Sequence, residues 1–191
     1  MSLAHETKEP PLAVNLRAMK LADIDQVFMI EVASYAHPWP MSYFIDEITK
    51  NSYARYIVAE IGGQIVGYCG MWLMAGEAHI TNIAVDFGFR RRKVAEQLIV
   101  DTIGHALDHH AETIFLEVRR YNLAAQRLYA RYLFRPTRVR EAYYQDNFED
   151  AVEMRVESTS DEKFLLNFMR RRAELAALLA GRDIQSPTVA P

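Results

Sequence analysis

The sequence predicts an α/β fold, a mixed sheet with helices on both faces. Three observations carry that expectation. Apolar periodicity switches between the strand and the helix repeat in the order β-α-α-β-β-β-α-β-α-β-β. Gly62-Gly63 separates two strand-like runs as a two-residue hairpin does. Half of the 191 residues are hydrophobic, which suits one domain with a sizeable core.

Each element follows from local chemistry. Residues 1–14 read as a flexible lead-in, 15–157 as the domain, and 158–191 as a helix with a tail. The first strand occupies 15–20. Ala22-Asp23 offers an N-cap to a helix with Ile24, Val27, Phe28, Ile30 and Glu31 at helical spacing. His37-Pro38-Trp39-Pro40 ends it, because neither proline fits a helix interior. A second helix over 42–50 places Phe44, Ile45 and Ile48 on one side. Strands are expected over 53–61, 65–73 and 79–85, with Gly76 interrupting the last pair. A long helix is expected over 91–110, where Val94/Leu98 and Ile99/Ile103/Leu107 recur every fourth residue. Then come a β-branched strand (113–118), a helix (122–132) and two strands (134–142 and 151–156) joined by a polar loop. Ser158-Thr159-Ser160-Asp161 caps a last helix carrying Phe164, Leu165, Phe168, Met169, Leu175 and Leu179. Gly181 ends it, and 185–191 reads as a disordered tail. The apolar stripe of that helix packs on the domain or on a second subunit, so monomer and homodimer both stay open.

Composition narrows the function classes. A net charge of −3 advertises neither nucleic acid nor a membrane surface as a partner. The single cysteine, Cys69, cannot make an intrachain disulfide and reads as a packed strand residue. No apolar run approaches the roughly 20 residues of a bilayer span, and the N-terminus lacks the apolar centre of a signal peptide. The expectation is a soluble, cytoplasmic protein. His105, His109 and His110 lack a companion carboxylate or cysteine pattern, so no metal is expected. Arg170-Arg171-Arg172 reads as a solvated helix face.

The most informative stretch runs from Asn82 to Ile99. A β-branched strand, Ile83-Ala84-Val85, stops at Asp86, and a basic loop, Arg90-Arg91-Arg92-Lys93, opens the longest helix. Backbone N–H groups and the positive helix end then converge on an anion site. Seen alone, the loop is equally a solvated basic helix start.

This stretch resembles the acetyl-CoA signature of the GNAT superfamily, Arg/Gln-x-x-Gly-x-Gly/Ala, on Arg90 to Ala95. Lys93 stands where that pattern has its central glycine. The resemblance covers residues 15–156 and is closest to the RimI-type branch, the N-terminal-amine acetyltransferases. It is carried also by His37-Pro-Trp-Pro40, Asn82-Ile-Ala-Val-Asp86, Leu116-Glu-Val-Arg119, Asn122-Leu-Ala-Ala125, Leu128-Tyr129, Tyr143-Tyr144 and Glu149-Asp150-Ala151. Leu133 and Phe148 replace two further glycines of the pattern. Bulky residues at those turns are expected to avoid positive φ, as is Lys93 if its N–H is to reach a phosphate.

The resemblance implies a GNAT fold, a mostly antiparallel sheet of six to seven strands, and acetyl transfer from acetyl-CoA as co-substrate. It implies cofactor contacts at Ile83, Ala84, Val85, Arg90, Arg91, Arg92, Lys93, Val94, Ala95 and Asn122. Glu117 sits in an otherwise apolar strand, where a carboxylate is costly without a partner or an aqueous cleft. By residues alone it is a salt-bridged or exposed strand position; by resemblance it is the general base. Tyr129 reads alone as a packing aromatic, and by resemblance as the general acid that protonates the departing thiolate. Asn122 is an N-cap by residue type and a cofactor contact by resemblance. The loops 36–41 and 141–150 supply Trp39, Tyr143, Tyr144, Asp146, Glu149 and Asp150, an aromatic and acidic set suited to a cationic peptide end. The implied acceptor is a protein N-terminus. A non-catalytic acyl-CoA-binding module and a GNAT acting on lysine or small-molecule amines are the alternatives.

Overall fold

The computed structural model describes residues 11–181. Alternating apolar residues and the left-handed glycines Gly62 (φ +56°) and Gly63 (φ +87°) fold β2 (Ala54–Ile61) back onto β3 (Gln64–Met74). β1 (Asn15–Ala18) pairs with β2, and β4 (Glu77–Val85) with β3, all antiparallel. The helix α3 (Val94–Asp108) then crosses over to β5 (Thr113–Arg119), which lies parallel to β4. β7 (Glu149–Val156) follows antiparallel to β5, and β6 (Arg135–Tyr144) closes the edge. The seven strands run β1-β2-β3-β4-β5-β7-β6, the mostly antiparallel mixed sheet that was expected.

Helices cover both faces. On one, α1 (Ile24–Ser34) and α2 (Met41–Thr49) bury Ile24, Val27, Ile30 and Phe44 against Tyr56, Val58 and Tyr68. On the other, α3 sets Leu98, Ile99 and Ile103 on Ile114 and Leu116, and α4 (Leu123–Ala130) adds Tyr129. The last helix, α5 (Glu162–Ala180), contributes Phe164, Phe168 and Leu175 to this second core, so its apolar stripe packs on its own domain. Its cap is as expected: Asp161 Oδ1 accepts the Phe164 N–H at 2.9 Å. Among the described residues, no helix is long and apolar enough to cross a membrane.

Several local expectations change. Asp23 does not cap α1. Its carboxylate accepts the Lys20 N–H (2.7 Å) and pairs with Arg17 (2.6 Å), closing a single 3-10 turn at Leu21–Asp23. Of the lead-in, residues 1–10 lie outside the described residues, as does the 185–191 tail. Leu12 donates its N–H to the Arg92 carbonyl (2.9 Å), and Gln97 Nε2 donates to the Leu12 carbonyl (2.7 Å).

The three residues at glycine positions also depart from expectation. Lys93, Leu133 and Phe148 all adopt positive φ, at +70°, +62° and +56°. The backbone of these turns is left-handed although each residue carries a β-carbon, which costs about 1–2 kcal/mol per residue. Arg91 is also left-handed (φ +64°), so α3 begins at Val94, not at 91.

Candidate functional site

The site begins where two parallel strands part. β4 and β5 pair from Glu77↔Thr113 to Ile80↔Leu116 and no further, so the stretch from Asn82 to Val85 has no partner on that side. A register shift opposite Gly70/Met71 leaves Thr81 as the extra residue of a bulge, and the strand bends there. Gly70 is required at this bend, since a β-carbon would come within 2.4 Å of the Tyr56 ring. The Ile83 carbonyl accepts the Tyr35 hydroxyl (2.7 Å), and the Val85 carbonyl accepts Arg90 Nε (3.0 Å). In an antiparallel ladder, a residue whose carbonyl points away from the partner strand turns its N–H the same way. Ile83 and Val85 therefore aim their N–H groups into the opening. Asn82 Nδ2 is buried beside it with no hydrogen-bond partner among the described residues.

The loop leading into α3 reaches the same opening through Arg90, whose Nε donates to the Val85 carbonyl. Lys93 is the N-cap residue of α3, and its carbonyl accepts the Gln97 N–H (3.0 Å). The N–H groups of Val94, Ala95 and Glu96 lack intrahelical acceptors by helix geometry, which makes an anion site of backbone donors. Two of the expected phosphate-binding side chains are already engaged. Arg90 spans Val85 and Ser34 Oγ (3.2 Å), and the Lys93 ammonium lies 2.5 Å from Glu96 Oε2. Glu96 is only 4% exposed and also holds Arg131 (2.8 Å) and the Tyr132 hydroxyl (3.1 Å). Arg91 is exposed and Arg92 half-buried.

Glu117 stands at the parting end of β5. Its Oε2 meets His79 Nε2 at 2.7 Å, and its Oε1 meets Arg140 Nη2 at 3.0 Å. Burial works to raise its pKa, but the His79 hydrogen bond and the charges of His79 and Arg140 prevail and hold it below the usual carboxylate range. His79 is itself fixed across the sheet. Its ring stacks on Phe115 (4.3 Å, 8° between planes) and meets the edge of Trp72 at 5.9 Å, while Arg155 covers Phe115 (4.5 Å). Sequence reading missed His79 and Arg140. The signal for His79 lay in the alternation of β4, which turns it to the same face as Glu117; Arg140 became visible only with the sheet order.

Tyr129 is 5% exposed and packs against Phe134 (6.0 Å). Burial raises its pKa strongly, with Tyr35, Cys69 and Tyr144 close enough to add to the effect, so the phenol is protonated at neutral pH. Glu117 also bears on the pKa of Tyr144, so that one ring lies within electrostatic reach of both candidate catalytic residues. Asn122 caps α4: its Oδ1 accepts the Ala125 N–H at 3.1 Å. Cys69 is buried and its thiol is pushed up to about 12, which removes it as a nucleophile.

Strands that part beside a helix N-terminus, flanked by a carboxylate and a buried phenol, agree with comparisons against known proteins. Residues 24–133 match the model of the acetyltransferase (GNAT) family. The chain belongs to that family. It is 40% identical to a Bacillus subtilis protein named as a candidate ribosomal protein bS18-alanine N-acetyltransferase, over 73% of this chain and 92% of that one. It is 29% identical to an N-alpha-acetyltransferase of Sulfolobus acidocaldarius, over 79% of this chain and 96% of that one. The crystal structure of the ribosomal-protein-S18-alanine N-acetyltransferase from Escherichia coli superposes with a TM-score of 0.71 at 25% identity, covering 78% of this chain and 97% of that one. The protein is accordingly a GNAT acyltransferase of the RimI type.

Within this GNAT domain, the loop 141–150 brings Tyr143 and Tyr144 within electrostatic reach of Glu117, while the contacts of Trp39 in the loop 36–41 run to α1 and α2. The Trp39 N–H donates to Glu31 Oε1 (2.9 Å), and its ring rests 6.0 Å from Phe44. Glu31 is 2% exposed and its other oxygen accepts the Tyr68 hydroxyl. Tyr143 and Tyr144 meet edge to face at 5.2 Å, with Arg119 over Tyr144 (3.9 Å) and Arg140 near Tyr143 (5.6 Å). The acidic set is corrected. Asp146 and Glu149 pair with Arg119 (2.7 and 3.0 Å), and Asp150 pairs with Arg120 (2.7 Å). These carboxylates brace the β6–β7 turn, and their charge is largely spent before any cationic acceptor arrives.

Proposed function

We propose that the protein transfers the acetyl group of acetyl-CoA to the N-terminal α-amine of a protein chain, a ribosomal-protein-like acceptor, by direct attack of the amine. The observation that carries this reading is geometric: Glu117, held by His79 and Arg140, stands where β4 and β5 part, and the buried Tyr129 lies within electrostatic reach of Tyr35, whose hydroxyl meets the Ile83 carbonyl at the same opening. Residues 15–157 carry the transfer machinery, and the helix of the 158–191 extension braces it.

The residues suit acetyl-CoA. The Ile83–Val85 backbone accepts a pantetheine-like arm as an added strand, and the left-handed Lys93 turn with the first N–H groups of α3 receives a pyrophosphate. Arg91, Arg92, Val94 and Ala95 complete this cradle, and Asn122 borders the arm while capping α4. When bound, acetyl-CoA supplies an acetyl thioester; the amine nitrogen forms a bond to the acetyl carbon as the carbon–sulfur bond breaks. Glu117 takes the proton that the attacking amine releases. One backbone N–H near Ile83–Val85 would polarise the acetyl carbonyl and favour negative charge there, the rest of that edge serving the arm. Tyr129 gives its proton to the departing sulfur.

A carboxylate is a weak base, which favours an acceptor that needs little help. A protein α-amine has a reference pKa near 8, against about 10.4 for lysine, so it reaches its neutral form far more readily at neutral pH. The half-exposed Trp39 and the Tyr143–Tyr144 pair line the route for the acceptor's first residues. The test incubates the protein with acetyl-CoA and peptides bearing free or blocked N-termini, and locates the acetyl group by mass spectrometry. Label on free α-amines supports the reading. Label confined to lysines overturns the acceptor, and binding of acetyl-CoA with no turnover on any amine leaves only a binding module.

A further inference from the structure

Glu117 has a neighbour that the reaction alone does not call for. On β5 and β7, Glu117 and Glu153 are direct cross-strand partners. Two carboxylates opposite each other repel, and both are poorly exposed, with side chains at 7% and 11%. Arg140 reaches between them from β6. Its Nη2 lies 3.0 Å from Glu117 Oε1 and 3.1 Å from Glu153 Oε2. Arg140 pairs with Ala151 in the ladder, so its side chain crosses diagonally to Glu153. The register of β6 slips just beyond it, between Arg140 and Tyr144, with Ala142 at φ +48°. Arg140 Nε is buried without a hydrogen-bond partner among the described residues, so one end of the guanidinium carries the contacts. A purely structural ion pair gains nothing from that orphaned donor.

We propose that Arg140 is a positioning residue that sets the charge and the aim of Glu117, as one guanidinium shared between the proton acceptor and Glu153. The inference rests on Glu117 as the proton acceptor. Arg140 pins Oε1 and leaves Oε2 to His79, fixing the plane of the carboxylate. Glu153 draws part of the positive charge away and is held in turn by Thr137 (3.2 Å) and Arg155 (3.8 Å), which keeps the guanidinium from collapsing wholly onto Glu117. The groups facing Glu117 are thus His79 from β4, Glu153 from β7, and Arg140, Tyr143 and Tyr144 from β6. Removing Arg140 raises the proton affinity of Glu117. Removing the charge of Glu153 lowers it, because an anion leaves and the guanidinium is no longer divided.

The experiment follows the Glu117 carboxyl carbon by NMR in the full chain with carbon-13-labelled glutamate, the resonance being assigned by its loss in Glu117→Gln. Titration midpoints are compared for the wild type, Arg140→Gln, Arg140→Lys and Glu153→Gln, alongside the acid limb of kcat/KM. The expected result is an upward shift of about one to three pH units in Arg140→Gln, a smaller shift in Arg140→Lys, a downward shift in Glu153→Gln, and an acid limb moving with the same signs. A midpoint unmoved or lowered in Arg140→Gln, or raised in Glu153→Gln, overturns the proposal. If Arg140→Gln does not fold, the downward shift in Glu153→Gln decides. Wild-type turnover in Glu117→Gln defeats the proton-acceptor reading itself, a failure separate from unmoved midpoints in an enzyme that still needs Glu117.

Discussion

Replacing Lys93 by alanine and by glycine separates its backbone from its side chain. Both variants lose the 2.5 Å ion pair with Glu96, a buried carboxylate that keeps Arg131 and the Tyr132 hydroxyl as partners. Losing one charged hydrogen bond of several costs about 1.5–3 kcal/mol. The backbone contribution then splits the two. At φ +70° alanine retains the left-handed penalty of about 1–2 kcal/mol, whereas glycine escapes it and instead loses about 0.5–1 kcal/mol to its freer unfolded chain. Lys93→Gly should therefore be more stable than Lys93→Ala by about 0.5–1 kcal/mol, the reverse of their order in a helix interior. Urea unfolding with a common m-value reads the difference directly. A second measurement concerns the ligand. Because the ammonium is engaged by Glu96, acetyl-CoA affinity in Lys93→Gly should stay within a few-fold of the wild type. An alanine variant as stable as the glycine variant, or a loss of affinity beyond about a hundredfold (roughly 2.7 kcal/mol), would refute this account of the turn.

Other expectations reach Glu117 and Tyr129, a buried carboxylate of α1 and the last helix. Glu117→Gln and Tyr129→Phe should each lower kcat by about 10²–10⁴ with acetyl-CoA binding nearly intact; unchanged rates in both remove their assigned roles. Burial raises the Glu31 pKa against the opposing hydrogen bonds from Tyr68 and Trp39. Its contribution to stability is complete below the unfolded carboxylate value and is lost as pH rises through the folded one, at no more than about 1.4 kcal/mol per pH unit. The wild type should accordingly lose ground to Glu31→Gln from pH 4 to 7 in chemical denaturation, and parallel curves would dismiss the effect. Phe168→Ala, at a position 4% exposed and stacked on Phe164, should cost about 3–5 kcal/mol. A cost under about 1 kcal/mol would mean that α5 unfolds apart from the domain.

Much of this protein is written in local pattern. The hairpin at Gly62-Gly63, the fourfold spacing of Ile99, Ile103 and Leu107, and the prolines at 38 and 40 specify elements through contacts close in the chain. Resemblance to the GNAT family, and not spacing, then pointed to Glu117 and Tyr129, whereas Asp161 and Asn122 act as the caps their residue types foretold. Other features escaped because they depend on what lies across the sheet. Asp146, Glu149 and Asp150 read as free acids in the sequence, yet Arg119 and Arg120 from another strand end answer them. Lys93 reads as a phosphate ligand until Glu96 folds beneath it. His79 and Arg140 carry no motif, and they meet Glu117 only because β4, β5, β7 and β6 stand in that order. The sequence by itself determined the elements and the chemistry they bring, since propensity and periodicity act within a few residues. The tertiary structure alone decided which charges remain free for function, because a charge's partner is set by strand register and not by distance along the chain.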